Sequence, residues 1–202
     1  MENENIKTGL VVMASGLGKR FGSNKLMEVL DDKPLVRWIL DSTDGLFDKR
    51  IVVTRNKDVK ELCDKLGVDC ISHELPNRND TIRLGLSSIM NDVDYCFFTP
   101  GDQPLISRET LGRLVGAASD NKDRIIRLGF GDTIGTPTGF PKELFTELLN
   151  LPEKKGGNLV VSNNQDLVCR IEADKEYELW DVDTVADLGR MKALIGQLRI
   201  IK

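Results

Sequence analysis

Ile6-Lys7-Thr8-Gly9-Leu10-Val11-Val12-Met13-Ala14 runs straight into Ser15-Gly16-Leu17-Gly18-Lys19-Arg20-Phe21-Gly22-Ser23-Asn24-Lys25. The first part is apolar with paired valines, too short for a helix of its own, and halted by glycine. It predicts a buried parallel strand that opens into a loop. Working outward, Pro34 suits the first turn of a helix carrying Leu35, Trp38, Ile39 and Leu40 on one face, ending near Thr43-Asp44-Gly45. Residues 51–54 read as a strand, and residues 57–66 as a helix with Val59, Leu62, Cys63 and Leu66 at helical spacing and Gly67 as its C-terminal cap. Residues 68–72 read as a strand, 81–90 as a helix and 95–99 as a strongly apolar strand. The alternation predicts an α/β fold with a doubly wound, mostly parallel Rossmann-like sheet.

Further along, residues 109–118 read as a helix, 124–128 as a strand, and Gly131-Asp132 as the turn of a hairpin, a small antiparallel addition. Pro141 is expected to open a helix through Leu149, residues 167–171 to form a strand, and residues 184–194 a closing helix that Thr184 N-caps. No repeat or low-complexity linker interrupts the pattern.

With 202 residues, 40% hydrophobic and 30% charged, the chain suits one domain with one good core, residues 1–202. The formal net charge of −4 gives no general attraction to nucleic acid or to an anionic membrane, so a phosphate ligand must be met by local positive groups. Cys63, Cys70, Cys96 and Cys169 form no C-x-x-C pair, and Cys63, Cys96 and Cys169 lie among apolar neighbours, so buried free thiols are expected. Met1 to Lys7 is acidic and polar, unlike a signal peptide, and no apolar stretch approaches a membrane span. Cytoplasm is the expected location.

The loop from Ala14 to Lys25 carries the chemistry. Three glycines let backbone N–H groups crowd an anion, and Lys19, Arg20 and Lys25 supply charge, which suits a polyphosphate. Gly16, Gly18 and Gly22 are spaced G-x-G-x-x-x-G, which misses the dinucleotide fingerprint, and the absence of G-K-[ST] excludes a Walker loop. Asp102 follows the 95–99 strand, at the carboxyl end where open α/β sheets build their sites, and a carboxylate there suits Mg²⁺. The sole histidine, His73, matches no metal or triad spacing and reads as a loop residue.

Ala14 to Lys25 resembles the L-x-x-G-x-x-x-R-[MF]-G-x-x-K signature of the MobA-like nucleotidyltransferases, which include the molybdenum cofactor cytidylyl- and guanylyltransferases. The similarity continues in order at Gly101-Asp102-Gln103-Pro104-Leu105, at Gly135-Thr136-Pro137 through Phe140, and at Trp180-Asp181-Val182-Asp183-Thr184-Val185-Ala186-Asp187-Leu188. The resemblance implies a fold of the nucleotide-diphospho-sugar transferase type and transfer of a nucleoside monophosphate from an NTP to a phosphorylated acceptor, most similar to cytidylyl transfer to molybdopterin cofactor. By the same resemblance Ala14, Ser15, Gly16, Gly18 and Gly101 would contact the nucleotide, Arg20 its β and γ phosphates, and Lys25 its α phosphate. Asp102 and Asp183 would hold Mg²⁺ (or Mn²⁺), with Asp181 and Asp187 as weaker substitutes for Asp183. A molybdoenzyme or its chaperone would be the macromolecular partner.

Arg78-Asn79-Asp80-Thr81-Ile82-Arg83-Leu84-Gly85-Leu86 is similar to the R-x-D-S-V segment of the related methylerythritol cytidylyltransferases, which makes Thr81 either a base contact or a helix cap. Ser15 stands where cytidylyl members carry alanine and guanylyl members glycine. Serine is nearer alanine in size, so CTP is favoured over GTP. Lys154-Lys155-Gly156-Gly157 resembles the family's K-G-[AG] element near the acceptor pocket, or is a basic turn. The rivals to this reading are transfer to a sugar phosphate or methylerythritol phosphate and a non-catalytic nucleotide-binding module.

Overall fold

A computed structural model of the chain describes residues 6–16, 21 and 24–200. The strands are β1 (Thr8–Ala14), β2 (Val29–Leu30), β3 (Lys33–Pro34), β4 (Lys49–Thr54), β5 (Cys70–Ser72), β6 (Tyr95–Pro100), β7 (Ile125–Phe130), β8 (Thr133–Pro141) and β9 (Val168–Glu172). The helices are α1 (Leu35–Ser42), α2 (Lys57–Leu66), α3 (Arg78–Ile89), α4 (Arg108–Asp120), α5 (Phe145–Leu149), α6 (Asn158–Asn163) and α7 (Val185–Ile200). A seven-stranded sheet has the order β5-β4-β1-β6-β8-β7-β9, and β2 pairs with β3 in a separate hairpin.

Strand β1 lies parallel to both β4 and β6, and β4 to β5, so the first half is the doubly wound parallel sheet that the alternation implies. The apolar run buries both faces. Leu10, Val12 and Ala14 join the core under α1, α2 and α4, whereas Val11 joins the one under α3, α5 and α6. The antiparallel element is β8, inserted between β6 and β7 and opposed to both, while β9 returns parallel to β7. Gly131, with φ +55°, makes the β7–β8 turn at the expected place.

Several boundaries move. Pro141 does not open a helix: it ends β8 opposite Tyr95, a 3₁₀ turn over Lys142–Leu144 follows, and α5 begins at Phe145. Proline needs no N–H at a strand end, and the Lys142 N–H donates to the Asp94 carbonyl at 3.0 Å, so pairing with β6 prevails over helix initiation. Helix α3 starts at Arg78 behind Asn77, whose N–H donates to the Asp80 carboxylate at 3.1 Å. Strand β5 starts only at Cys70, because Gly67 and Val68 are spent closing α2 through N–H bonds to Asp64 and Cys63. Helix α7 runs on to Ile200, and α6 and the β2–β3 hairpin carry no sequence signal strong enough to predict them. Cys63 and Cys96 are buried free thiols, but Cys70 and Cys169 are half-buried because they sit on the edge strands β5 and β9. Among the described residues no helix is long and apolar enough to cross a membrane.

Gly139 is required by packing. A Cβ on Gly139 would lie 2.5 Å from ring carbons of Phe97 and of Tyr95, both fully buried. Gly139→Ala is therefore expected to cost about 1–3 kcal/mol through displaced rings. Urea unfolding checks it, and a loss below about 0.5 kcal/mol would show that the rings have room.

Candidate active site

In the order β5-β4-β1-β6 the chain winds away from β1 on one side and then crosses to the other, so the carboxyl ends of β1 and β6 flank a topological switch point. A cleft of about 650 Å³ opens there. At its β6 end stands Asp102. Its place depends on main-chain bonds: the Gly101 N–H donates to the Met13 carbonyl at 3.0 Å, and the Val182 N–H donates to the Asp102 carbonyl at 3.1 Å. The second of these bonds brings residues 181–183 beside Asp102 across a long sequence separation.

Lys25 meets both carboxylates. Its Nζ lies 2.6 Å from Asp102 Oδ2 and 2.9 Å from Asp183 Oδ1. It sits on a 3₁₀ turn over Lys25–Met27 that is anchored by buried Leu26, and the lysine itself is only 9% exposed. Burial alone would lower its pKa, but the charges and hydrogen bonds of Asp102 and Asp183 outweigh burial and hold it above the ordinary lysine value. Asp181 lines the same cleft, and burial, reinforced by Asp102 and Asp183, pushes its carboxyl upward. Asp187 is committed elsewhere: its carboxylate accepts from the N–H groups of Asp183 and Thr184 and from the Thr184 hydroxyl, capping α7. Asp187 thus takes the capping role and lies outside the cleft lining.

Two carboxylate oxygens that reach a single ammonium converge on a small volume. Hard oxygen donors in that number suit a divalent ion that keeps waters and phosphate oxygens in its remaining positions. Among the described residues no group of three or more His, Cys, Asp or Glu converges on a metal position.

The opposite end of the cleft is built by β4, β5 and the start of α3. The Thr54 hydroxyl donates to the Ala14 carbonyl at 2.9 Å, and the His73 N–H to the Thr54 carbonyl at 3.0 Å. Ser15 Oγ lies 3.1 Å from the Val53 carbonyl and 2.8 Å from His73 Nε2. A carbonyl can only accept, so the serine donates to Val53 and receives the proton of Nε2, which assigns the Nε2–H tautomer. Burial, and next the Arg55 charge, lower the pKa of His73 and so favour its neutral form. His73 is thus a part of the floor beneath Ser15, a role that no sequence spacing reveals because its partner is 58 residues away.

Of the residues singled out in the sequence, Ser15, Gly16, Lys25, Thr81, Asp102 and Asp183 line this one cleft. Ala14 lies under it, its carbonyl taken by Thr54. Gly101 is not among the lining residues, and its N–H donates to the Met13 carbonyl, which supports the strand end. Thr81 is not a cap: it lies inside α3 behind Asn77, buried, on the helix face that meets the cleft. Gly18 and Arg20 lie outside the described residues. Arg55, Asn77, Arg78 and Thr136 line the cleft without having been singled out for it. Gln103 is a further addition: its Nε2 donates to the carbonyls of Thr136 and Glu178 at 2.7 and 2.6 Å, and the Thr136 hydroxyl donates to its Oε1 at 2.7 Å. In the sequence Gln103 carries no signal beyond the Gly101–Leu105 motif, because its partners come from two distant segments.

Residues 10–168 match the family model described as the MobA-like NTP transferase domain. The chain belongs to that family. It is 29% identical over 124 residues to a probable molybdenum cofactor guanylyltransferase of Natranaerobius thermophilus, a match covering 57% of each chain. Over 123 residues it is 28% identical to a 2-C-methyl-D-erythritol 4-phosphate cytidylyltransferase of Endomicrobium trichonymphae, covering 58% of this chain and 56% of that one. The chain thus spans little more than half the length of these curated relatives. The crystal structure of Rv0371c from Mycobacterium tuberculosis superposes with a TM-score of 0.82 at 25% identity, covering 93% of this chain and 98% of that one. This MobA-like chain therefore has a seven-stranded, mostly parallel sheet of the nucleotide-diphospho-sugar transferase type.

Proposed function

We propose that this chain is a divalent-metal-dependent nucleotidyltransferase that moves a nucleoside monophosphate, CMP in preference to GMP, from an NTP onto the phosphate of molybdopterin cofactor. The observation that carries the reading is Lys25, buried between Asp102 and Asp183 at the switch point of a MobA-like sheet. An acceptor phosphate oxygen attacks the α phosphorus, a new P–O–P linkage forms, the bond to the β phosphate breaks, and pyrophosphate leaves. Charge grows on the α-phosphoryl oxygens and on the leaving group, so preorganised cations are the main catalytic need. Lys25 would stabilise the α-phosphoryl oxygens, and Arg20 would hold the β and γ phosphates. Asp102 and Asp183 would hold Mg²⁺ or Mn²⁺, which when bound neutralises the triphosphate and leaving-group charge. An acceptor phosphate is already ionised near neutral pH, so no general base or protein nucleophile is required.

For the base, support comes from Ser15. Its side chain fills space that glycine would leave open, and swinging it aside breaks its bonds to Val53 and His73. A smaller base fits that constraint better. The molybdopterin acceptor is supported by the relative named a molybdenum cofactor guanylyltransferase.

The test is pyrophosphate release with each of the four NTPs, Mg²⁺ or Mn²⁺, and molybdopterin cofactor set against a panel of sugar and alcohol phosphates. CTP with molybdopterin is the expected pair. Activity only with a sugar or methylerythritol phosphate overturns the acceptor, and no release with any pair overturns the enzyme.

A further inference from the structure

Strand order separates two kinds of charge in the cleft. Asp102 follows β6, whereas Arg55 follows β4, on the other side of β1. Two strand spacings, about 10 Å, lie between those strands. With the reacting phosphate at Lys25 and Asp102, the Arg55 side of the same cleft is open to the nucleoside of that NTP.

The hydrogen-bonding functions at that end are unevenly used. The Ser15 hydroxyl spends its proton on Val53 and accepts from His73. The Asn77 N–H is taken by Asp80. Arg55 lines the cleft half-buried, and among the described residues its guanidinium has no carboxylate or carbonyl partner. Nearby, His73 Nδ1 is buried without a hydrogen-bond partner. A guanidinium is a donor fork with no acceptor, shaped for two acceptors side by side.

We infer that Arg55 is a specificity-determining residue that reads the base of the NTP through a pair of adjacent acceptors. This rests on the nucleotidyltransferase reading above and deepens it. Four bases divide cleanly under that rule. Cytosine offers N3 and O2 together, and guanine offers N7 and O6 together. Adenine's N6 amino group lies beside N1 and beside N7 while its N3 has no neighbouring acceptor, and uracil places N3–H between its two carbonyls, so neither offers the fork two adjacent acceptors. Arg55 therefore admits cytosine and guanine and rejects adenine and uracil, while the bulk at Ser15 chooses between the two that remain.

The experiment is equilibrium binding of CTP, GTP, UTP and ATP by titration calorimetry with Mg²⁺ and no acceptor, on the wild type, Arg55→Ala and Arg55→Lys. The wild type is expected to favour CTP and GTP over UTP and ATP. Arg55→Ala should weaken CTP and GTP by about 10- to 100-fold and change UTP and ATP by less than about threefold. Arg55→Lys should not restore the preference, because a single ammonium is no fork. Arg55 bonds to no described carboxylate or carbonyl, so its removal spares the scaffold, and an unchanged melting temperature checks this. Equal weakening of all four nucleotides, or none, overturns the inference and leaves the nucleotidyltransferase reading standing. Failure of the wild type to bind any NTP overturns both.

Discussion

Replacing Asp102 by alanine is expected to lower kcat for pyrophosphate release by about 10³-fold, equivalent to about 4 kcal/mol of transition-state stabilisation. Two effects combine. The carboxylate is one of the two that reach Lys25, so on the proposed reading its loss removes one of the two ligands to a divalent ion. It is also the nearer anchor of Lys25, 2.6 Å from Nζ, so the ammonium loses its aim at the reacting phosphate. The main-chain bond from the Val182 N–H to the residue 102 carbonyl survives the substitution, so the fold around the site should persist. Single-turnover kinetics with saturating NTP and metal measure the effect. A loss smaller than tenfold, in a variant that melts like the wild type, would remove Asp102 from the chemistry.

Lys25→Ala is the second large effect, and it splits into activity and stability. Activity should fall by about 10² to 10³-fold, and Lys25→Arg should not recover it, because a wide planar guanidinium cannot take the compact position between two carboxylates. Stability without metal should fall by about 1–3 kcal/mol. Asp102 is largely buried and would lose the ammonium it pairs with at 2.6 Å, but Asp183 beside it is half exposed, so solvent blunts the penalty. A divalent ion can then neutralise the pair. Thermal melting with and without Mg²⁺ should show a larger stabilisation by metal in Lys25→Ala than in the wild type, where the ammonium competes for the same oxygens. Equal stabilisation in both would mean that these carboxylates are not where the ion goes.

The regular parts of the fold were legible because their signals are local. Val59, Leu62, Cys63 and Leu66 at helical spacing, with Gly67 behind them, mark α2 over the same residues that the structure shows. The β1 run announces burial on both faces by its composition alone. Elements whose stability is non-local were not legible: β8 takes in Pro141 because β6 pairs with it, and α6 exists because Val160 and Val161 find a core under β7 and β8. The site divides the same way. Lys25, Asp102 and Asp183 could be singled out through motifs and strand position, whereas His73 and Gln103 act through partners far along the chain. By its sequence Thr81 suits either a cap or the cleft, and Asn77 at the head of α3 takes the cap.

The sequence by itself determined the doubly wound order of strands and helices, the glycine-rich loop and the cluster of cations on it, and membership of a phosphate-handling family. These follow from periodicity, backbone freedom and residue chemistry, all of which are properties of short segments. Only the tertiary structure decided which carboxylate Lys25 shares with Asp102, that Asp187 caps a helix instead, and that the Ser15 hydroxyl is turned into the floor by Val53 and His73. Each of those outcomes is a competition among partners 38 or more residues apart for one donor or acceptor, or a local one won because a neighbour was drawn away, and hydrogen-bond geometry settles such a contest only once the strands are in place.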